Sequence, residues 1–491
     1  MKAAIQRCME SSVLAELVRV VGAKEVLVDI EERALYGYDA TIHRFVPDAV
    51  VRVGSLKEVC DVLQICRQAH LPVVPRGAAT GLSGGVLPVR GGVMLDMGRL
   101  QRIREINRED LYAVVEAGVT VERFAEAVQE TGLFFPPDPS SARASTMGGG
   151  VAENAGGPHA FKYGVFRDYV LGLTAVKMDG TVVRTGGKTV KNVSGYDLTR
   201  LLVGSEGTLA VVVDATVRLI PAPKAKRTLL TAYDRLDDAA ASVSQIIARG
   251  MQPAALEFID DASMRVVEDY LHLGLPLDAE ALLLIEVDGS EAEVSRQADE
   301  ITALCESLNA RSVKVAVSEA EAAGLWKARK SISSAVARIK PSKVSEDATV
   351  PRSQIPAMVR KLKEIAQHYE VDLVVFGHAG DGNLHPNIMC DETNQEEMGR
   401  VWQAVAEIFA VTLELGGTLT GEHGVGTMKA PFMQWEHGEE GLAVMRAIKN
   451  AWDPDHLLNP GKLFPEDAPP WPVSLEPWES RVKHRGTSWP T

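Results

Sequence analysis

Twenty-two of the 42 glycines in this 491-residue chain fall between Gly77 and Gly207, about a quarter of its length. Glycine costs more backbone entropy on folding than any other residue. A cluster of this density therefore marks tight turns, or close approach of backbone to something else. Three glycine-rich runs occur in order. The first is Pro75-Arg76-Gly77-Ala78-Ala79-Thr80-Gly81-Leu82-Ser83-Gly84-Gly85, after the short apolar strand candidate Val73–Val74. Successive small residues let N–H groups converge on an anion. The second is Ser145-Thr146-Met147-Gly148-Gly149-Gly150-Val151-Ala152-Glu153-Asn154-Ala155-Gly156-Gly157, preceded by Pro136-Pro137-Asp138-Pro139-Ser140-Ser141. Its glycines and hydroxyls suit the face of a flat polar ligand. The third is Val193–Leu198 followed by Gly204-Ser205-Glu206-Gly207-Thr208-Leu209. One such run is a turn as readily as a ligand loop; three within one unit point to a ligand.

Two common nucleotide sites are excluded. The first run is not GxGxxG and lacks the following ribose-binding acid, so it is not a Rossmann NAD site. Gly187-Lys188-Thr189 imitates the end of a P-loop, but Val182 stands where its first glycine belongs. The charge balance, 52 basic against 66 acidic residues for a net −14, argues against a nucleic-acid surface. The five cysteines, Cys8, Cys60, Cys66, Cys305 and Cys390, include no CxxC, which fits a reducing compartment and excludes a four-cysteine iron–sulfur site. No apolar run approaches the ~20 residues needed to span a bilayer, and Glu10 and Glu16 interrupt any signal-peptide pattern. A cytoplasmic protein is expected, with the inner face of a membrane, reached through a partner, as the other placement.

The periodicity divides the chain into four parts. Residues 1–45 read as a helical segment packing on the glycine-rich unit, with Ser11 or Ser12 capping a helix that carries Val13, Leu14, Leu17, Val18 and Val21 on one face. Residues 46–223 read as that glycine-rich α/β unit, with strand candidates Ala49–Val53, Val93–Asp96, Tyr112–Glu116, Leu171–Lys177 and Leu209–Leu219. Its clearest helices are Ser55–His70, with Glu58 at the capping-box position, and Val121–Thr131. Residues 224–464 alternate helices (237–249, 291–309, 319–339, 354–369) with strands (282–287, 312–316, 373–376), which suggests an α+β domain with helices on one face of a sheet. Residues 465–491 hold six prolines and Trp471, Trp478 and Trp489, and read as a tail wrapping its own protein.

The second half carries its own chemistry. His378-Ala379-Gly380-Asp381-Gly382-Asn383-Leu384-His385 and Gly421-Glu422-His423-Gly424 compress histidines and acids between glycines. Two His and one Glu with open positions make a catalytic divalent-metal set; a hydrogen-bonded turn without metal explains the same spacing. Arg329 and Ser333 share a helical face, with Lys343 shortly after. Together they form either a carboxylate fork or part of a solvated basic helix.

Taken together, the motifs PRGAATGLSGG (75–85), PPDPSS (136–141), GGGVAENAGGPH (148–159), GSEGTL (204–209), HAGDGNLHP (378–386), GEHGVG (421–426) and LLNPGKLF (457–464) resemble the FAD-linked oxidases of the vanillyl-alcohol oxidase/p-cresol methylhydroxylase superfamily. The resemblance covers roughly residues 30–464. It is strongest to the 2-hydroxy-acid group, which includes glycolate oxidase FAD subunits and D-lactate and D-2-hydroxyglutarate dehydrogenases. It implies an α+β architecture: a two-subdomain FAD-binding α/β domain of the p-cresol methylhydroxylase type, then an α+β FAD-linked oxidase C-terminal substrate domain. By carry-over, Arg76, Gly77, Ala78, Ala79, Thr80, Gly81, Leu82 and Ser83 hold the FAD pyrophosphate. Pro137, Asp138, Ser141, Thr146, Gly149, Gly150, Asn154, Gly156, Gly157, Gly164, Glu206, Gly207 and Asn459 line the rest of the cofactor.

Covalent relatives place a His in the first loop; here Thr80 stands there, implying non-covalent FAD. The resemblance also implies a metal on His378, His385 and Glu422 (zinc first, iron or manganese as alternatives), His423 as base, and Arg329, Ser333 and Lys343 on the substrate carboxylate. The implied reaction oxidises glycolate or D-lactate to the 2-oxo acid by hydride transfer to flavin N5. A D-2-hydroxyglutarate-type dehydrogenase with a larger substrate is the alternative, and a metal-dependent hydrolase is the reading from another class. With no iron–sulfur ligands of its own, the chain needs a separate electron acceptor: an iron–sulfur subunit, an electron-transfer flavoprotein, a cytochrome or a quinone. A homodimer is left open.

Overall fold

The computed structural model describes residues 9–473; Cys8, Trp478 and Trp489 lie outside the described residues. The chain packs as two units. Among the described residues, the first comprises 9–224, 422–430 and 440–468, and the second comprises 225–421, 431–439 and 469–473. Two stretches that fall within the range 224–464 in sequence thus pack with the glycine-rich half.

The first unit contains two main sheets. In the smaller, strands Ala49–Arg52, Val93–Asp96 and Val73–Arg76 run parallel, with Val26–Leu27 antiparallel at one edge. Their central residues, Val50, Val51, Val93, Met94 and Leu95, are fully buried, as parallel strands covered on both faces require. The helix Leu56–Gln68 packs on this sheet through Val59, Val62, Leu63 and Cys66. Ser55 caps it by accepting from the Glu58 amide, and the Glu58 carboxylate accepts from Gly54 N–H. The helix Ser11–Val21 joins the same core through Leu17. Glu10, not a serine, occupies its N-cap position, and no side chain caps it. Ser11 and Ser12 are already inside the first turn, because Met9, Val13 and Leu14 must reach the core.

The second sheet of this unit is antiparallel, in the order 103–107, 112–116, 211–218, 170–176, 182–186. Its core holds Phe124, Phe135, Phe166 and Tyr169, with Phe135 edge-on to the other three rings. Arg102 and Arg104 pair with the buried Glu116, which keeps that charge from being stranded in the sheet.

The second unit is built on an eight-stranded antiparallel sheet. Its main path runs 312–315, 225–233, 281–289, 255–260, 372–378, 383–390, 342–345, and Ala348–Thr349 also pairs with the strand 383–390. Helices Asp261–Leu271 and Glu319–Val336 cover Ile259, Leu282, Val374 and Phe376. Leu283, Ile285 and Val287 point to the opposite face and are equally buried. The expectation of helices on one face therefore fails. The run Leu282–Val287 is apolar at every position but Glu286 because both faces are covered. Trp471 packs edge-on against Trp402 and Phe432, so the described part of the tail lies on its own unit. No helix among the described residues is long and apolar enough to cross a membrane.

Candidate functional site

The glycine-rich runs of the first unit meet around a narrow cleft of about 70 Å³. Of the residues expected at a cofactor, Arg76, Gly77, Thr146, Gly149, Glu206 and Gly207 line it. Thr146 caps the helix Met147–Glu153 by accepting from Gly149 N–H. A side chain at Gly149 would meet only the Thr146 hydroxyl, at 3.3 Å, whereas one at the neighbouring Gly150 would run into the Phe166 ring. Gly150 is thus glycine for packing, although its sequence context is the same. Arg76 is buried and donates to the carbonyls of Tyr36 and Tyr38, with its guanidinium over both rings. Its charge is engaged by protein, which leaves backbone as the donor of this loop.

The other expected cofactor residues take local roles. Asp138 pairs with His159 at 2.8 Å, and Asn154 terminates the helix Met147–Glu153 in a left-handed conformation while accepting from Arg167 N–H. Gly164 follows the turn Ala160–Tyr163 with φ of 86°. Pro137 is buried, and the Ser141 carbonyl accepts from Ala144 and Ser145 amides. Asn459 donates to the carbonyls of Gly85 and Glu206. Ala78, Ala79, Thr80, Gly81 and Leu82 are not in the cleft wall; Ala78 is exposed and the others are half-buried.

Sequence reasoning missed Glu153 as a cleft group. It is half-buried with its Oε2 shielded from water, and desolvation, then the Glu206 carboxylate, pushes its carboxyl well above the ordinary range. Oε2 of Glu153 has no hydrogen-bond partner. The signal was available: an acid embedded in a run of small residues. Glu422 and His423 belong to the same unit, and Ser83 Oγ donates to the His423 carbonyl at 2.8 Å.

The second unit gathers a separate constellation. Glu257 and His378 are cross-strand partners, and His378 continues into a turn whose return strand carries His385. Residues on one face of paired strands come within reach of each other's rings. The two imidazoles stand edge-on with centroids 5.0 Å apart, and one ring nitrogen of each lies within 4.8 Å of the other. Glu257 sits 2.6 Å from His378 Nδ1, and Asp347 sits 3.2 Å from His385 Nδ1. Both carboxylates are completely buried. Burial would raise Glu257, but His378, then Arg329, outweigh it and hold the carboxyl below its usual range. Each histidine thereby has Nδ1 engaged by a buried carboxylate, an arrangement that would orient Nε2 toward a metal ion if one bound. The donor set fits a divalent ion. Neither Glu257 nor Asp347 was anticipated; the sign was a charge inside a fully buried apolar strand, 255–260. Glu422 belongs to the first unit, so the expected metal set divides between the units.

Of the expected carboxylate holders, Lys343 and Ser333 are joined by a hydrogen bond from Nζ to Oγ. Burial pushes Lys343 down to about 8. Arg329 is only 5% exposed and pairs with Glu257 at 2.7 Å, over the Phe376 ring. It is neither solvated nor a free fork.

Residues 47–186 match the family described as "FAD binding domain", and residues 222–463 match "FAD linked oxidases, C-terminal domain". The glycolate oxidase subunit GlcD of Bacillus subtilis (strain 168) is 49% identical over 92% of this chain and 97% of its own length. GlcD of Escherichia coli (strain K12) is 38% identical over 93% and 91%. The D-lactate dehydrogenase of Archaeoglobus fulgidus is 36% identical over 87% and 95%. Among solved structures, 4-ethylphenol oxidase from Gulosibacter chungangensis superposes with a TM-score of 0.78 at 19% identity, over 94% of this chain and 99% of its own. p-Cresol methylhydroxylase gives 0.77 at 17% identity, over 92% and 96%. These two likenesses establish the fold alone.

Proposed function

Since the chain belongs to the FAD-linked oxidase family, we propose that it is an FAD-dependent dehydrogenase oxidising a small 2-hydroxy acid, glycolate or D-lactate, to the 2-oxo acid. The carrying observation is the bond from Ser83 to the His423 carbonyl, which ties the backbone of His423 to the first glycine-rich loop. The names of the relatives, glycolate oxidase subunit and D-lactate dehydrogenase, support the substrate class.

FAD, bound without a covalent link, supplies the two-electron acceptor for the substrate's α-hydrogen. The backbone of residues 77–83 would hold its pyrophosphate by the family resemblance, and Thr146, Gly149 and Gly207 line the neighbouring cleft. Lys343, with Ser333 beside it, holds the substrate carboxylate; Arg329 contributes positive charge while remaining on Glu257. His423 takes the hydroxyl proton at an imidazole nitrogen, since an imidazole titrates near neutral pH. His378, His385 and Glu422 would hold a divalent ion, zinc by preference with iron or manganese as alternatives, whose Lewis acidity would lower the hydroxyl pKa. Electrons leave to a separate acceptor, in keeping with relatives named as subunits. An iron–sulfur subunit, electron-transfer flavoprotein, cytochrome or quinone would serve.

Anaerobic addition of glycolate, D-lactate, L-lactate and D-2-hydroxyglutarate to the yellow protein, with and without chelator, tests this. Bleaching by glycolate or D-lactate, suppressed by chelator, is the expected pattern. Preferential bleaching by D-2-hydroxyglutarate would move the assignment to the larger substrate, and a colourless protein would end it.

A further inference from the structure

Glu206 was expected among the cofactor ligands, yet its carboxylate is already taken. Oε1 accepts from Val425 N–H and Oε2 from Gly426 N–H, each at 2.7 Å, with all groups buried. Further hydrogen bonds hold the same stretch to the first glycine-rich loop. Ser83 Oγ donates to the His423 carbonyl, and the Ser83 carbonyl accepts from Thr427 N–H at 2.9 Å and Met428 N–H at 3.1 Å. Both oxygens of one carboxylate therefore grip consecutive amides two and three residues after His423.

The surroundings are built for this grip. Glu206 holds a left-handed backbone, with φ of 51°, which crowds the Cβ of a non-glycine residue against its own carbonyl. That conformation is secured by Asn459, which donates to the Glu206 carbonyl at 2.6 Å and to the Gly85 carbonyl at 2.9 Å. Gly424, with φ of 79°, lets the gripped segment pass close to the carboxyls, since any side chain there would run into Glu153. A strained residue kept in place by its neighbours is a reason to look for function. Charge-assisted bonds from backbone amides to a buried carboxylate are among the stronger hydrogen bonds that can hold a loop.

We infer that Glu206 is the positioning residue of His423. Its carboxylate clasps residues 425–426 so that the base-bearing segment and the cofactor loop form one fixed piece, and Asn459 braces the clasp. This rests on the reading of His423 as the base. It assigns Glu206 and Asn459 to the alignment of catalysis in place of direct FAD binding.

The test compares E206Q, S83A and H423A as full-length holoprotein. Three quantities are read: flavin content, the rate of anaerobic flavin reduction by the best substrate, and amide exchange in the peptide covering 422–428. A glutamine offers one acceptor for two amides. E206Q should keep its flavin, exchange faster across 422–428, and reduce flavin about 10- to 100-fold more slowly, the scale on which small misplacements act. S83A, which removes one weaker bond, should shift exchange and rate in the same direction by less, and it carries the test if E206Q does not fold. Flavin loss from E206Q with 422–428 still protected would make Glu206 a cofactor ligand and overturn the inference. Wild-type exchange and rate in a flavin-loaded variant would overturn it equally. If H423A reduces flavin at the wild-type rate, the base assignment fails, while faster exchange in E206Q would still report the clasp.

Discussion

His378 Nδ1 donates to the buried carboxylate of Glu257 at 2.6 Å, and the same carboxylate pairs through its other oxygen with Arg329. An imidazole held this way is fixed in tautomer and ring orientation, and its other nitrogen gains basicity. Replacing Glu257 with Gln should weaken retention of a divalent ion by about 10- to 100-fold. Chelator competition on the full chain measures this, with flavin absorbance as the control for folding. Equal retention by E257Q and wild type would separate Glu257 from the metal site.

Arg329 offers a second, independent test. Removing it leaves the fully buried Glu257 with one fewer counter-charge. Breaking a buried pair from one side costs about 3–5 kcal/mol. R329M should therefore unfold at clearly lower denaturant concentration, and E257Q/R329M should recover part of the loss. A purely substrate-binding Arg329 would instead give a variant of wild-type stability with raised KM.

How far these residues can be read from sequence is uneven, for physical reasons. Strands Val93–Asp96 and Tyr112–Glu116 fall where their apolar runs place them, because a short strand buried in a sheet needs little beyond that run. Ser55 and Glu58 mark a helix start because a cap is a local device. The motif His378–His385 reads as a glycine-bounded turn, and the structure makes it the bend between two fully paired strands. Glu257 is invisible in the sequence because the histidine that balances it is 121 residues away. Gly149 and Gly150 are adjacent and alike in sequence; only the position of Phe166 tells which faces the cleft. The family resemblance could name Glu206 and Asn459 but not say that their polar groups are bonded to protein.

Lys343 makes a pH prediction. Burial lowers it to about 8, so its ammonium is present below that pH and lost above it. Carboxylate binding should follow: KM for the hydroxy acid should rise toward about tenfold per pH unit above pH ~8, and a neutral replacement such as K343M should flatten that rise. A KM independent of pH from about 7 to 9.5 would remove Lys343 from the substrate site.

Glu153 makes another. Its carboxyl is raised in the folded protein, so the folded state keeps a proton that the unfolded chain releases near 4.5. Stability therefore falls as pH rises above that value, until the folded group also ionises. E153Q replaces a neutral acid by a neutral amide. It should keep FAD, and its melting temperature should exceed that of wild type by a margin that widens from about pH 5 to pH 8. A margin that narrows over that range, or loss of flavin, would mean that Glu153 is needed as an anion.

The proposed reaction stands or falls on His423. Single-turnover reduction of the bound flavin by D-lactate or glycolate, followed anaerobically in wild type and H423A, measures the step directly. General-base removal costs about 100- to 10,000-fold. With His423 as the base, a flavin-loaded H423A bleaches slower than wild type by a factor in that range. Bleaching of H423A at the wild-type rate would contradict that role.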